Sequence, residues 1–368
     1  MKPSLAGTLL LALLTSCRAP AEEAGGSSEL AAPRYALLPL RNLTADQDLA
    51  GLLTARLQQE LSARGAEFVP ADELERILVA RRIRYVDTMS SAAAAAIAEA
   101  TGATHLVLGT LLAHDPAPPP RIALSMRVID CADAHTCQSA LVALSGQDFT
   151  GLLDLGTIED SDTLAWEVVA RAAYMFDERG APRPVTPHPG NLDRDRPRSP
   201  LLRYADATLA LEPGERVAIL PLLNHTSYPE VGLLFVDVLS HAWLQARGID
   251  TVETGELLEA LVRAKVRSVE GLDPVTLAPV ARATGARYLL FGSVEFFEPQ
   301  VAAEDGHTYP ELEVWVRLYD VEQGRLVAGA GQRHRGDDYH RMLGLGSERD
   351  PVRLALRTAR ELLATLVI

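Results

Sequence analysis

Apolar residues in this chain follow two spacings, and the two spacings alternate in the same order twice. A helical spacing, with apolar residues every three or four positions, occurs at Leu49, Leu52, Leu53, Leu57 and Leu61. A strand spacing, with every second residue apolar, occurs over 122–128 and 312–318. Continuous apolar runs that begin at Thr104 and Arg287 are typical of a central strand buried on both faces. The pattern predicts β-α-β-α-α-β-β-β-α in each half of the chain.

The fold class predicted from this order is α/β (α+β), with two tandem mixed sheets. Helices are expected to cover one face of each sheet, in a three-layer-like arrangement. The alternating strand of the second half carries polar residues on its other face, which indicates a half-solvated strand. These residues are Glu311, Glu313, Trp315, Arg317 and Tyr319. Trp166, Trp243 and Trp315 are expected to be buried or half-buried packing residues.

Sequence motifs repeat in step with the pattern. Leu38-Pro39-Leu40-Arg41-Asn42 returns as Leu220-Pro221-Leu222-Leu223-Asn224, and the Ala-Thr-Gly-Ala at 100–103 returns at 283–286. Asn224 follows Asn42 by 182 positions, far more than the roughly 20–50 residues of a solenoid repeat. The shared positions are expected to be structural: Pro39, Asn42, Gly102, Gly109 and Asp130, matched by Pro221, Asn224, Gly285, Gly292 and Asp320.

The repeat divides the chain into five predicted segments. These are a signal peptide (1–17), a flexible tether (18–33), a first domain (34–176), a Pro-rich linker (177–215) and a second domain (216–368). The linker is expected to be extended, with a small packed element from Leu201 to Leu211 as the alternative. Both Asn42 and Asn224 begin an Asn-x-Thr sequence, which matches a glycosylation sequon. An Asx turn that starts the next helix is the better interpretation, because the sequence follows a strand-ending proline in both halves.

The N-terminus has the pattern of an export signal. Lys2 precedes the apolar residues 5–14, a stretch too short for the ~20 residues of a membrane-spanning helix. The following Leu14-Thr15-Ser16-Cys17 resembles a bacterial lipobox. That resemblance implies a diacylglycerol on Cys17, and Arg18, in place of aspartate, implies the outer membrane. An ordinary secretory signal with a chance cysteine is the alternative.

Two further cysteines lie six positions apart. Export to an oxidising compartment predicts a disulfide between Cys131 and Cys137, closing a hairpin. Two free thiols are the alternative. Metal binding by Cys131, His135 and Cys137 is a poorer interpretation, because no fourth ligand is evident.

Charge and motifs exclude several function classes. A formal net charge of −14 argues against nucleic-acid binding. Nucleotide-binding, serine-hydrolase and zinc-protease motifs are absent from the sequence. The sharpest polar cluster is His334, Asp337, Asp338 and His340, which could hold a metal. Asp338 matches Asp148 in the first half, however, whereas the histidines have no counterpart, so a structural aspartate is favoured.

The repeated motifs resemble a superfamily of exported bacterial proteins. It includes the curli-secretion lipoprotein CsgG, the penicillin-binding-protein activator LpoB, the flagellar lipoprotein FlgO and the TolB N-terminal domain. The matching residues run from Val217 to Asn224, from Gly285 to Val294 and from Val314 to Val327. The resemblance covers about 140 residues of each half and implies an anticodon-binding-like α/β fold. Its motifs are strand ends and turns, which specify fold better than function.

The function expected is that of an outer-membrane lipoprotein facing the periplasm, a non-catalytic adaptor or assembly factor without a cofactor. Its partners are expected to be the membrane, through the lipid, and unidentified envelope proteins; a homo-oligomer is possible. One alternative is a ring-forming secretion component related to CsgG. Another is a metal-dependent enzyme that uses His334, Asp338 and His340. The loops, in which the two copies differ, are expected to carry any specific function.

Overall fold

A computed structural model describes residues 33–83, 89–150, 156–186, 201–206, 209, 211, 215–266, 274–303, 306–338 and 347–366. The predicted signal peptide, with Cys17, and nearly all of the tether lie outside these residues. The described part of the chain is an α/β protein with two mixed sheets. The predicted fold class is therefore confirmed.

The first copy follows the predicted order, with one short strand added. Its elements are β1 (Arg34–Leu37), β2 (Arg41–Asn42), α1 (Gln47–Ala63), β3 (Glu67–Phe68), α2 (Ala71–Ala80), α3 (Ser91–Thr101), β4 (His105–Asp115), β5 (Arg121–Asp130), β6 (Thr136–Ser145) and α4 (Ser161–Ala172). Sheet 1 has the strand order β3-β1-β4-β5-β6, and β2 pairs with β4.

The second copy repeats these elements after a strand from the linker. They are β7 (Leu202–Ala205), β8 (Arg216–Ile219), β9 (Leu223–Asn224), α5 (Val231–Arg247), β10 (Asp250–Thr251), α6 (Thr254–Arg263), α7 (Pro274–Ala283), β11 (Tyr288–Ala302), β12 (Thr308–Asp320), β13 (Arg325–Arg335) and α8 (Pro351–Leu366). Sheet 2 has the order β10-β8-β11-β12-β13-β7, and β9 pairs with β11.

The two sheets agree in register as well as in order. In sheet 1, Thr110 pairs with Ser125, and the ladder shifts by one residue after Leu111. In sheet 2, Ser293 pairs with Trp315, and the ladder shifts after Val294. The β-bulge therefore lies at the same place in both copies, and it fixes which residues correspond.

Helices lie on both faces of each sheet, not on one face as the sequence pattern predicts. In the first copy, α1 and α4 pack on one face through Leu53, Leu57 and Val168. The other face packs against α2 and α3 through Ala36, Leu38 and Leu106. The central strands are apolar on both sides for this reason, since each side has its own core.

The shared positions form the same local structures twice. Asn42 Oδ1 accepts a hydrogen bond from Thr44 N (2.8 Å), and Asn224 Oδ1 accepts one from Thr226 N (2.9 Å), so both close an Asx turn. Gly102 and Gly285, at φ +70° and +69°, end α3 and α7. Asp130 and Asp320 accept backbone N–H bonds from the hairpin turns that follow them. Pro39 and Pro221 lie just after β1 and β8.

Gly109 and Gly292 are required by a close approach between β-strands. A Cβ at Gly292 would lie 1.9 Å from the Trp315 backbone oxygen. A Cβ at Gly109 would lie 2.4 Å from Leu40 Cδ2, the end of a flexible side chain. The second copy is therefore the less tolerant of the two at this position.

The predicted disulfide is not formed. Cys131 has a free thiol and packs beside Ile129 and Ala134, in the layer of α2 and α3. Cys137 is the extra residue at a register shift in β6, and its Sγ lies 3.9 Å from the His135 carbonyl oxygen. Burial, and then Asp130, raises the pKa of the Cys131 thiol to about 12, so it is a poor nucleophile.

Part of the linker 177–215 takes part in the fold, within the stretch from Leu201 to Leu211 that the sequence offers as a small packed element. Strand β7 adds to the edge of sheet 2, where Leu202 pairs with Gly331 and Tyr204 pairs with Gly329. Its inward residue, Ala205, packs against the second core. The linker strand therefore widens sheet 2 by one strand relative to sheet 1.

Candidate protein interaction surface

Helix α5 lies between the two sheets, and α8 packs beside it on sheet 2. They pack on sheet 2 through residues such as Phe235, Leu239 and Leu362. The same core includes Leu112, Ala123 and Ala143 of sheet 1. Eleven of the 17 residues of α5 are buried, against six of 17 in α1. Helix α5 is therefore buried on two sides, with an apolar side on sheet 2 and a mixed side, which includes Asp237 and His241, on sheet 1.

A buried ion cluster lies in this contact. Arg127 of β5 donates from Nε to Glu253 Oε1 (2.8 Å) and pairs through Nη1 with Asp237 Oδ1 (3.2 Å). The Arg127 and Asp237 side chains are 13% and 10% exposed, and that of Glu253 is 5% exposed. Burial raises the pKa of both carboxyls, while Arg127 opposes the shift. The arginine thus compensates two carboxylates that have left water.

Further side-chain contacts between the two copies surround the ion cluster. Ser139 Oγ and His241 Nδ1 are 2.9 Å apart, and Gln245 Nε2 donates to Gln138 Oε1 (2.9 Å). Burial lowers the pKa of His241 to about 3, so its ring is neutral at physiological pH. At one edge, His135 Nδ1 lies 2.7 Å from Asp250 Oδ2.

No described element covers the corresponding face of sheet 2, which we call the open face. It is lined by residues on or beside strands equivalent to those of sheet 1: Leu223, His225, Phe291, Gly292, Ser293, Glu295, Glu313, Trp315 and Arg317. They enclose a groove of about 520 Å³. Arg317 corresponds to Arg127. In the β-ladders Arg127 pairs with Leu108 and Arg317 pairs with Phe291, and each partner directly precedes the shared glycine. Arg317 is exposed and makes no ion pair with another described residue.

The open face is apolar at its centre and charged around it. The Trp315 ring lies over Gly331, where an added Cβ would come within 2.7 Å of the indole. Leu202 and Tyr204 on β7 are 39% and 47% exposed beside it. Arg333 pairs with Glu311 (2.6 Å) and Glu313 (3.7 Å), and His225 pairs with Glu295 (3.0 Å). An aromatic centre with a polar rim is typical of protein interfaces.

The predicted half-solvated strand accounts for most of this face. Glu311, Glu313 and Trp315 are half-buried and Arg317 is exposed, but Tyr319 is buried. Of the three tryptophans, Trp243 is fully buried and Trp315 is half-buried, whereas Trp166 on α4 is 40% exposed. The expectation of burial is therefore wrong for Trp166. Arg56 stacks on its ring, with Cζ 4.5 Å from the ring centroid.

The His334 cluster is held by contacts within the fold. His334 Nε2 lies 2.8 Å from Oε2 of the buried Glu361, and Nδ1 lies 3.7 Å from Asp338 Oδ2. Burial lowers the pKa of His334, but the bonds with Asp338 and Glu361 outweigh this and raise it to about 8. Asp338 Oδ2 also accepts a hydrogen bond from Arg335 N, as Asp148 does from Ser145 N. His340 lies outside the described residues.

Metal-ligand atoms come together at one other place in the described part of the chain. One nitrogen of His105, one oxygen of Asp130 and the sulfur of Cys137 lie within 4.8 Å of one another. Asp130 Oδ1 already accepts the Ala132 N–H (2.8 Å), and His105 Nδ1 lies 2.9 Å from Thr104 Oγ1. The atoms are therefore engaged in the turn, and the sequence-predicted set of Cys131, His135 and Cys137 is not assembled there.

No protein-family model and no curated protein matches the chain. Solved structures do. The PelC dodecamer from Paraburkholderia phytofirmans is 20% identical over 46% of this chain and 98% of that chain, with a TM-score of 0.28. The LpoB C-terminal domain from Salmonella enterica is 16% identical over 35% and 87%, with a TM-score of 0.27. Lipoprotein GNA1162 from Neisseria meningitidis is 14% identical over 30% and 79%, with a TM-score of 0.24. A likeness this distant supports no functional conclusion.

No helix within the described residues is both long and apolar enough to cross a membrane.

Proposed function

We propose that this protein is a lipid-anchored, non-catalytic adaptor or assembly factor on the periplasmic face of the outer membrane. It acts by binding a protein on the open face of sheet 2. The observation that carries this proposal is the correspondence between the two sheet faces. The same strands, in the same register, bind helix α5 in the first copy.

The chemistry of the open face supports a protein partner. Trp315, Phe291, Leu202 and Tyr204 offer aromatic and apolar surface beside flat glycine backbone. Binding energy at interfaces concentrates in such central aromatic residues, which charged neighbours shield from water.

The anchor is proposed from the N-terminal sequence. A lipid on Cys17 would leave residues 18–33 as the tether. A flexible chain of that length spans on the order of 20–25 Å. The domains would therefore stay close to the membrane while sheet 2 remains accessible.

The His334 cluster does not favour the metal-dependent enzyme. Both ring nitrogens of His334 face carboxylates of the fold, Nε2 that of Glu361 and Nδ1 that of Asp338. Its neighbours Glu361 and Asp338 act as ion-pair partners in the fold.

Site-specific photo-crosslinking of the full-length protein in intact cells tests the proposal. The probe p-benzoylphenylalanine replaces Tyr204, which lies on the open face. The replacement is conservative in shape. The control probe replaces Val262 on α6, which is 74% exposed but lies outside that face. We expect a discrete crosslinked protein, identified by mass spectrometry, from position 204 alone. Equal or absent crosslinking at the two positions contradicts the binding proposal.

The anchor has a separate test. Cys17→Ser should release the protein from the outer-membrane fraction into the soluble periplasm. A variant that still sediments with the outer membrane contradicts the lipid assignment, whatever the crosslinking shows.

A further inference from the structure

The two copies meet where α5 packs on sheet 1. Each side of this internal interface has an equivalent surface elsewhere in the chain, and no described residue covers either equivalent surface. One is the open face of sheet 2. The other is the outer face of α1 and the adjacent α4, and α1 corresponds to α5, which contacts sheet 1. Buried positions fix the helix alignment, since Leu49, Leu53, Leu57 and Leu61 match the buried Val231, Phe235, Leu239 and Trp243. With this alignment, Asp237 corresponds to Ala55 and His241 to Gln59.

The outer face of α1 has the composition of a contact surface. Its exposed residues beyond the first turn are uncharged and mostly small: Gly51, Leu52, Ala55, Gln59, Ser62 and Ala63. A solvated helix face normally carries charged side chains, and depletion of charge marks the centre of interfaces. Trp166 on the adjacent α4, at 40% exposed, corresponds to Leu356, which packs into the internal interface.

We propose that the partner of the open face is a second copy of this chain. The α1–α4 face of one copy lies on sheet 2 of the next, with α1 placed as α5 is placed on sheet 1 within the chain. This inference rests on the proposed function and names its partner. Such a contact joins two different surfaces, so a dimer still has one free surface of each kind, and the assembly grows head to tail into a ring or a filament.

Corresponding pairs across the two interfaces are compatible. Arg41 and Asp237 attract each other in the internal interface, and their counterparts, Leu223 and Ala55, are both uncharged. His135 and Asp250 form an ion pair inside the chain. Their counterparts are Arg325 and Glu67, again of opposite charge and both exposed.

One pair differs, and it provides the test. Arg127 meets Asp237 and Glu253, whereas the counterparts of these carboxylates are Ala55 and Pro70. Arg317 would therefore face Ala55 without an anion. The contact between copies lacks the buried ion pair of the internal interface and is expected to be weaker and reversible. Ala55→Asp restores the missing pair, whereas Ala55→Arg opposes two cations.

The experiment uses the full-length protein with the photo-crosslinking probe at Tyr204, which leaves Arg317 in place. The expected product is a covalent homodimer in which the probe is joined to a peptide of α1 or α4. Ala55→Asp should increase the homodimer yield several-fold, and Ala55→Arg should reduce it about tenfold, since like charges at a contact are repulsive. The same two substitutions at Val79, which is 72% exposed on α2, are the matched control and should leave the yield unchanged.

The outcomes separate the two proposals. A crosslink from position 204 to a different protein keeps the proposed function and overturns the head-to-tail contact. A homodimer whose crosslinked peptide lies outside α1 and α4, or a yield that Ala55→Asp and Ala55→Arg change in the same direction, also overturns it. No specific crosslink at position 204 overturns both.

Discussion

Sheet 1 and sheet 2 present the same strand face to different surroundings. In sheet 1 the face is closed by α5, and its arginine, Arg127, is buried between two carboxylates. In sheet 2 the equivalent Arg317 is exposed, and Trp315 lies flat over Gly331 where sheet 1 has Ser125 and Leu141. A duplicated strand face can thus serve as an interior in one copy and a surface in the other, and few side chains need to change.

The largest expected effect on stability comes from removing the two arginines, one at a time. Arg127→Ala leaves Asp237 and Glu253 buried without a counterion, so the free energy of unfolding should fall by about 3–5 kcal/mol. Arg317→Ala should change it by no more than about 0.5 kcal/mol, as for other exposed substitutions. Denaturant unfolding of the full-length protein measures both. Similar losses in the two variants contradict the assignment of one face as buried and the other as open.

The same variant has a pH dependence of known sign. Burial holds the pKa of Asp237 and Glu253 above the ordinary value. Such carboxyls bind protons more readily in the folded state, so folding is less favourable as pH rises above their unfolded pKa. The destabilisation by Arg127→Ala should therefore be smaller at pH 5 than at pH 7.5. A loss independent of pH argues against buried carboxylates there.

A second comparison uses the paired glycines. Gly292→Ala places Cβ against backbone oxygen, whereas Gly109→Ala meets a movable leucine methyl. We expect a loss of roughly 3 kcal/mol for Gly292→Ala and about 1 kcal/mol for Gly109→Ala, within the range of overpacking. Unfolding midpoints of the two variants decide the order. The reverse order would show that the strands do not approach as described.

A third comparison concerns a position where one copy has an ion pair and the other a leucine. His334, paired with Glu361, lies where sheet 1 has Leu144. His334 pairs with Leu312 in the β-ladder, and Leu144 pairs with the equivalent Ile122. The pKa of His334 is raised to about 8. Its stabilisation is fully present below the unfolded value near 6.5 and is lost as pH rises through about 8, a change of about 2 kcal/mol. His334→Gln should remove this part of the pH dependence of unfolding; an unchanged profile contradicts it.

The smallest expected effect on stability is the same in the two copies. Asn42→Ala and Asn224→Ala each remove the same Asx turn, so each should lower the free energy of unfolding by about 1 kcal/mol. Thermal unfolding of the two variants measures this, with Thr44→Val as a milder control that keeps the asparagine. Clearly unequal losses indicate that one asparagine has a role beyond its turn.

The order of elements could be predicted from the sequence because the helical and strand spacings in each copy are strong and long. The half-solvated strand of sheet 2 could also be predicted, because Glu311, Glu313 and Arg317 alternate with apolar residues. The resemblance to CsgG and TolB stays a prediction, as do the domain boundaries and the location in the outer membrane.

The interface between the copies could not be predicted, although it left a signal in α5. That helix is apolar around most of its circumference, which indicates burial on two sides, but the pattern does not say which surface supplies the second side. Arg127 aligns with Arg317, and alignment alone does not show which is buried. The disulfide prediction failed for a related reason. Spacing places Cys131 and Cys137 at a hairpin, but the register shift in β6 and the packing of Cys131 depend on tertiary structure.

The position of α5 between the two sheets has a consequence for synthesis. Sheet 1 is translated first, but its Leu112, Ala123 and Ala143 belong to a core that also contains residues of α5, which follows about 90 residues later. This part of the first copy therefore completes its packing only after α5 has been made. A product that ends before α5 would expose these apolar side chains, so the second copy completes the folding of the first.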